Sequence, residues 1–244
     1  MARAFDDASS QYLEHAGAVV SSYPFTIACW AYFDDYTSGH NLVTLGHSSD
    51  TLDLVLLFYN FSGDNVLFRV RNDATIKESA QTKPAINTWA HIAGTMSLYS
   101  RFCYVNGSPG VEETTGVVIP TLDRTCIGTQ ISGGALSNYH SGMVAEVGFW
   151  NIELTQAEIQ TLSEGYSPLL VRPENLVAYY PLIRDTDDDI VGGYSMTPVN
   201  SPTVAAHPRV FYPGMPHVGY AAAAIAALRI PRHPAAYFGG PTIF

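Results

Sequence analysis

The sequence predicts an all-β chain, an antiparallel sandwich of two sheets with one short helix and an extended C-terminal arm. Three observations carry this. Short apolar or alternating runs, each bounded by turn residues, recur about a dozen times along the 244 residues, which is the spacing of strands in a sandwich. Only one segment of the body, Gly142 to Gly165, changes from a period of two to a period near four. From His207 onward the composition changes in kind, with six of the fifteen prolines and no Asp or Glu.

The strands can be placed in order. Ala4 to Leu13 reads as an opening strand, with Asp6-Asp7 where a turn or a cation would sit. Phe25 to Phe33 puts Phe25, Ile27, Cys29, Ala31 and Phe33 on one face and Thr26, Ala28, Trp30 and Tyr32 on the other. Both faces are largely apolar, so it is expected to be a central strand. Asn41 to Gly46, Leu52 to Tyr59 and Val66 to Arg71 follow, the last with Val66, Phe68 and Val70 inward and Arg69 and Arg71 outward. Trp89 to Met96 and Phe102 to Val105 pair around Leu98 to Arg101. Asn106-Gly107 then tolerates the positive φ of a type I′ hairpin turn. Val117 to Ile119, Thr125 to Gly128, Met143 to Trp150, Val177 to Leu182 and Tyr194 to Val199 complete the set. After Trp150, Thr155 and Glu158 form a capping box, Leu154 and Ile159 have staple spacing, Gly165 suits a left-handed closure and Pro168 prevents resumption.

Composition limits function. Apolar residues make up 47% and aromatics 12%, which describes a packed domain. A net charge of −10 argues against nucleic acid, whose affinity comes largely from Lys and Arg. No apolar run approaches the roughly 20 residues of a membrane helix, and Met1 to Asp7 lacks the apolar segment of a secretion signal. The chain is therefore expected to be made in the cytoplasm. Cys29, Cys103 and Cys126, odd in number and far apart, read as reduced core thiols.

Quoted in order, Phe25-Thr-Ile-x-x-Trp30, Trp89-x-His91, Tyr104-Val-Asn-Gly107, Ile127-Gly128, Gly142-x-Val-Ala-Glu-Val-Gly-Phe-Trp-Asn151 with Leu154-Thr-x-x-Glu-Ile159, Tyr180-Pro-Leu182 and Gly192-Gly193 resemble the concanavalin A-like lectin/glucanase superfamily, and within it the laminin-G-like jelly roll. The resemblance implies one domain over residues 1–206, two curved sheets face to face, and a helix closing one end. That family hosts lectins, adhesion modules, hydrolases and structural proteins, so function rests on the site.

Hydrolases of the superfamily resemble one another in an acidic Glu-x-Asp-x-x-Glu strand, whose spacing sets carboxylates on one face across a glycosidic bond. No such triplet occurs here. Glu112-Glu113 point to opposite faces and Glu146 stands alone, so catalysis is not expected and Glu146 reads as a structural carboxylate bonded to nearby backbone. No Gly-x-Ser-x-Gly elbow occurs either. The eight histidines never pair tightly, which disfavours zinc, and His91 reads as a hydrogen-bonded core residue. Calcium is the family's habitual ion. Asp6 matches an early family Asp, and Asp185, Asp187 and Asp189 supply oxygen ligands in one run, although Ala145 stands where the family usually has an Asp. Glycan binding needs exposed aromatic faces beside polar groups, and the loops offer Tyr36, His40, Tyr99, Tyr139 and His140.

Residues 207–244 carry only Arg209, Arg229 and Arg232 as charged side chains, a balance of +3 beside a body with 22 acids and nine bases, −13. Phe211, Tyr212, Tyr220, Tyr237, Phe238 and Phe244 are spread along them. Disordered tails are poor in aromatics, so residues 207–244 are expected to be an assembly arm, ordered against another subunit or against a capsid or tail protein and not folded back on their own sandwich, using these aromatics with Arg229 and Arg232. The stretch Gly165 to Leu182, continuing to His207-Pro208, resembles laminin-G-like structural proteins of tailed phages. That resemblance implies a noncatalytic virion component, a capsid decoration or tail-associated part, homo-oligomeric and in contact with other virion proteins. The alternative is a carbohydrate-binding adhesion module acting on cell-surface glycans, and no nucleic-acid or membrane partner is expected.

Overall fold

A computed structural model describes residues 2–49, 52–183 and 187–213. The strands among them are β1 (Ala2–Phe5), β2 (Tyr12–His15), β3 (Phe25–Phe33), β4 (His40–Gly46), β5 (Leu54–Asn60), β6 (Asn65–Asn72), β7 (Thr75–Thr82), β8 (Trp89–Met96), β9 (Arg101–Val105), β10 (Ser108–Pro109), β11 (Arg124–Ile127), β12 (Gln130–Ser132), β13 (Ala135–Ser137), β14 (Gly142–Trp150), β15 (Leu176–Tyr180), β16 (Thr197–Val199) and β17 (Thr203–Ala205). The helix α1 is Gln156–Ser163.

The first sheet runs β10-β9-β8-β3-β14-β1-β17, with β15 also on β14. The second runs β16-β2-β11-β4-β5-β6-β7, and β12 pairs with β13 in a separate hairpin. Every strand pairing is antiparallel, for example Phe25 opposite Met96 and Leu57 opposite Phe68. The architecture is the two-sheet sandwich expected, with β3 central between β8 and β14.

The core lies between the sheets and follows the alternation read from sequence. Phe25, Ile27, Cys29, Ala31 and Phe33 of β3 meet Val55, Leu57 and Tyr59 of β5 and Val66, Phe68 and Val70 of β6. A Cβ on Gly94 would stand 2.2 Å from Cδ2 of Phe68, so the Phe68 ring fills the space a larger residue would need. All three cysteines are buried free thiols, and burial pushes the Cys126 thiol up to about 12. Asn106 and Gly107 adopt φ of 49° and 77°, the expected type I′ values.

Several expectations are corrected. The opening strand is two strands in different sheets, because Asp6 to Gln11 turns: the Ser10 and Gln11 amides donate to the Asp7 and Asp6 carbonyls at 3.0 and 3.2 Å. Val117 to Ile119 forms no strand, since side chains take its carbonyls: Tyr23 binds Val117 and Asn72 binds Val118. The polar strand β7 is held by its full register with β6 and not by an apolar pattern of its own.

The capped helix forms as expected, with Thr155 and Glu158 closing the box reciprocally, but it does not close an end of the sandwich. Its Ile159 and Leu162, with Leu154 before it, pack on Ala28, Ala93 and Tyr104, which face outward from the first sheet. The alternation of β3, apolar on both faces, requires such a cover. Trp150, Leu169 of a 3-10 turn at Pro168–Leu170, and Val171 extend it.

The compact unit continues to Tyr212, past the boundary expected at 206. Phe211 forms a parallel bridge with Tyr166, donates its amide to Gly165 O at 2.7 Å and accepts from Ser167 N at 3.0 Å. Residues 207–212 thus fold back on their own sandwich, because unpaired backbone at Gly165 to Ser167 offers them a ladder. The expected arm residues Tyr220, Arg229, Arg232, Tyr237, Phe238 and Phe244 lie outside the described residues.

Candidate functional site

The outer face of the second sheet is built differently from that of the first. Leu54, Leu56, Phe58 and Leu67 form a small apolar cluster there, with Ala80 beside it. The β12–β13 hairpin, turning at Gly133-Gly134 with φ of 58° and 72°, packs over β4 and β5. The cluster is buried, and a cleft of about 310 Å³ remains at its margin between the base of the hairpin and the β5–β6 turn.

The lining of that cleft is chemically mixed. Phe58 is its floor, and the Arg69 guanidinium lies 4.8 Å from the centre of the Phe58 ring. Glu78 Oε2 accepts from Arg69 Nε at 2.7 Å and fixes the stack. On one lip Phe61 stands 56% exposed. Asn60 there donates to Asn65 Oδ1 at 3.2 Å and accepts from Ser62 Oγ at 3.0 Å. On the other lip Asn138 Nδ2 donates to Gln130 Oε1 at 2.8 Å. Among the described hydrogen bonds, Gln130 Nε2 and Asn138 Oδ1 are unused, which leaves a donor and an acceptor side by side. An exposed ring face beside an unspent amide donor and acceptor is the combination that binds a sugar, whose CH face stacks while its hydroxyls bond in pairs.

The aromatics expected to bind glycans do not form one surface. His40 and His140 are fully buried. Their rings lie 5.7 Å apart in a cluster with Phe33, Tyr36 and Tyr59, so neither offers a face to a ligand. His40 Nδ1 accepts from Ser141 N at 3.2 Å, and burial drives the His140 imidazole down to about 3. Tyr36 is half-buried, its hydroxyl donating to Pro84 O at 2.8 Å and its ring covered by the Lys83 ammonium. Tyr139 packs toward Tyr12. Tyr99 is 66% exposed, but in the Ser97–Ser100 turn at the other end of the sandwich from Tyr36. Loop position alone suggested these residues; a better signal was Phe61 among Asn60, Ser62 and Asn65, a ring set among short polar side chains.

The carboxylates proposed as calcium ligands are engaged by the protein. Asp6 accepts from Ala8 N at 3.1 Å and Ser9 Oγ at 2.6 Å, closing its own turn. Asp187 takes Arg3 in a bidentate pair at 2.6 and 2.7 Å. Asp189 accepts four backbone amides, from Tyr179, Val191, Gly192 and Tyr194, at 2.8 to 3.0 Å. Asp185 lies outside the described residues. Among the described residues no three His, Cys, Asp or Glu side chains converge as a metal site. Within the run, one carboxylate pairs with a distant arginine and another organises backbone.

Two further residues differ from expectation in detail. His91 is buried, its ring edge-on to Trp30 at 5.6 Å, but its Nδ1 has no partner among the described residues. Glu146 is a buried structural carboxylate, yet its partners are side chains distant in sequence: the hydroxyls of Tyr179 and Tyr212, each at 2.5 Å.

No described helix is long and apolar enough to cross a membrane. The family profile described as concanavalin A-like lectin/glucanases superfamily matches residues 7–160. No curated protein matches the sequence. Among solved structures, the fold is shared with a Bacteroides ovatus protein assigned to carbohydrate binding, at 18% identity and a TM-score of 0.63 over 84% of this chain and 59% of that one. A heptameric SAP-like pentraxin from Limulus polyphemus matches at 16% identity and a TM-score of 0.51, over 63% of this chain and 75% of that one. The CBM40 of Ruminococcus gnavus IT-sialidase, bound to α2,3-sialyllactose, matches at 12% and 0.51, over 62% and 93%. With the helix-bearing sandwich and the profile match together, the chain belongs to the concanavalin A-like lectin/glucanases superfamily, as a laminin-G-like member.

Proposed function

We propose that this chain is a noncatalytic carbohydrate-binding module and that the cleft beside the β12–β13 hairpin is its glycan site. The observation that carries this reading is the exposed Phe61 lining the same cleft as Gln130 and Asn138, with a donor and an acceptor unspent. The carbohydrate-binding assignment of the Bacteroides protein and the bound sialyllactose in the Ruminococcus module support the ligand class. Catalysis has no support in the cleft, because none of its lining residues is a carboxylate that could serve as acid or nucleophile.

A glycan array with the full chain tests this. We expect binding to a restricted set of glycans, lost at least tenfold in Phe61→Ala and in Gln130→Ala and retained in Tyr99→Ala. Binding unaffected by both cleft substitutions overturns the assignment.

A second reading is favoured by one observation, the division of charge between an acidic body and the acid-free residues 207–244. It makes the module a structural part of a phage virion, with residues 213–244 attaching to acidic surfaces of neighbouring copies. Co-purification of the full chain with intact particles, lost on deletion of residues 213–244, supports this reading, and retention after deletion defeats it.

A further inference from the structure

Glu146 occupies a position with no obvious local reason for a carboxylate. It sits in the bulge of β14, where the register against β3 shifts between Ala145 and Gly148. Its φ is 55°, a left-handed conformation that a side chain adopts at a cost. It is 2% exposed, and a buried carboxylate is tolerated only where donors replace water. Three donors converge on it. Tyr179 donates to Oε2 from β15, while Tyr212 donates to Oε1 and His207 Nε2 lies 3.1 Å from Oε1. Two of the three therefore belong to residues 207–212.

The other contacts of those residues are few: Pro208 is buried, and the Phe211 ring meets that of Tyr166 at 5.7 Å. Phe211 and Tyr212 remain 53% and 43% exposed, so their apolar burial is slight. The backbone contributes the two bonds to Gly165 and Ser167 already described, and His207 also meets Pro181 O at 3.4 Å. Gly165 permits the approach, since a Cβ there would stand 2.8 Å from Arg209 O.

We propose that Glu146 is a latch: its carboxylate clasps residues 207–212 as a strap across the outer face of the first sheet, and the strap opens as a unit when the clasp is broken. A strap held by one carboxylate, two backbone bonds, one buried proline and one ring contact at its edge has a low local opening energy compared with the sandwich beneath it. Opening releases His207 and Tyr212 and admits water to Glu146. The strained φ is explained in the same way, since the bulge turns the carboxylate out of the sheet and under the strap. The latch is independent of the glycan cleft, which lies on the opposite face.

Hydrogen exchange on the full-length chain tests the proposal, read at the amides of Phe211 and Ser167 and, as an internal reference, at β3 and β8. In Glu146→Gln, and separately in a His207→Ala, Tyr212→Phe double variant that leaves the carboxylate in place, we expect the strap amides to exchange at least tenfold faster. The β3 and β8 amides should keep their wild-type protection in the double variant. Unchanged exchange at Phe211 and Ser167 in both variants overturns the latch. Equal loss of protection in strap and core strands of the double variant overturns it too, because the clasp would then belong to the global fold.

Discussion

The two outer faces of the sandwich were given similar raw material and met different fates. The first sheet presents Ala28, Ala93, Tyr104 and Trp150 outward, and the helix with Leu154, Leu169 and Val171 packs over them. The second presents Leu54, Leu56, Phe58 and Leu67, buried to the same degree beside a short hairpin, Ala80 and the Arg69 stack, but with an open cleft and the exposed Phe61 at their margin. On the covered face a substitution acts on stability. On the face left partly open the rings and amides at the margin are not needed for folding, and that is where a ligand can be accommodated without dismantling the core.

The largest expected effect lies on the covered face. Trp150 is fully buried and donates Nε1 to Val171 O at 2.8 Å. Trp150→Ala should cost about 3–5 kcal/mol through the cavity and the stranded carbonyl. Urea denaturation checks it, and a loss near that of a surface substitution would mean the helix layer is only loosely applied.

The next effect depends on pH. Burial drives the imidazoles of His91, on the covered face, and His140, beneath the loops, down to about 3 from the ordinary 6.5. Each is neutral when folded while the unfolded chain takes up a proton below pH 6.5. The stability they contribute is therefore fully present above that pH and is lost as pH falls from 6.5 toward 3. At pH 5 each should account for about 2 kcal/mol of lost stability. His91→Gln and His140→Gln should flatten the acid limb of the stability curve by that amount each, and a curve of unchanged slope would contradict the assignment.

Smaller again is the cap. Thr155→Ala removes the side chain that accepts from Glu158 N and should lower stability by about 1 kcal/mol; an unchanged melting point would show that packing alone holds the helix. At the bottom of the series, Phe61→Ala on the open face should change stability by less than about 0.5 kcal/mol. A larger loss would mean that Phe61 is structural and would blur the contrast between the faces.

Sequence by itself determined what is local. The alternation of β3, the Asn106-Gly107 turn and the Thr155–Glu158 box depend on neighbours within a few residues, so residue order was enough to read them. It also showed that β3 is apolar on both faces, which requires a cover without saying which element provides it. Only the tertiary structure decided that the helix lies on the outer face of the first sheet, that Asp187 meets Arg3, 184 residues away, and that Glu146 meets Tyr212, 66 residues away. It likewise decided that His40 and His140 are buried against each other while Phe61 and Gln130 share a cleft. The physical reason is common to all of these. A carboxylate or a ring has the same composition whether it faces water, a backbone amide or another ring. Its role is set by which distant strand the sheet topology places beside it.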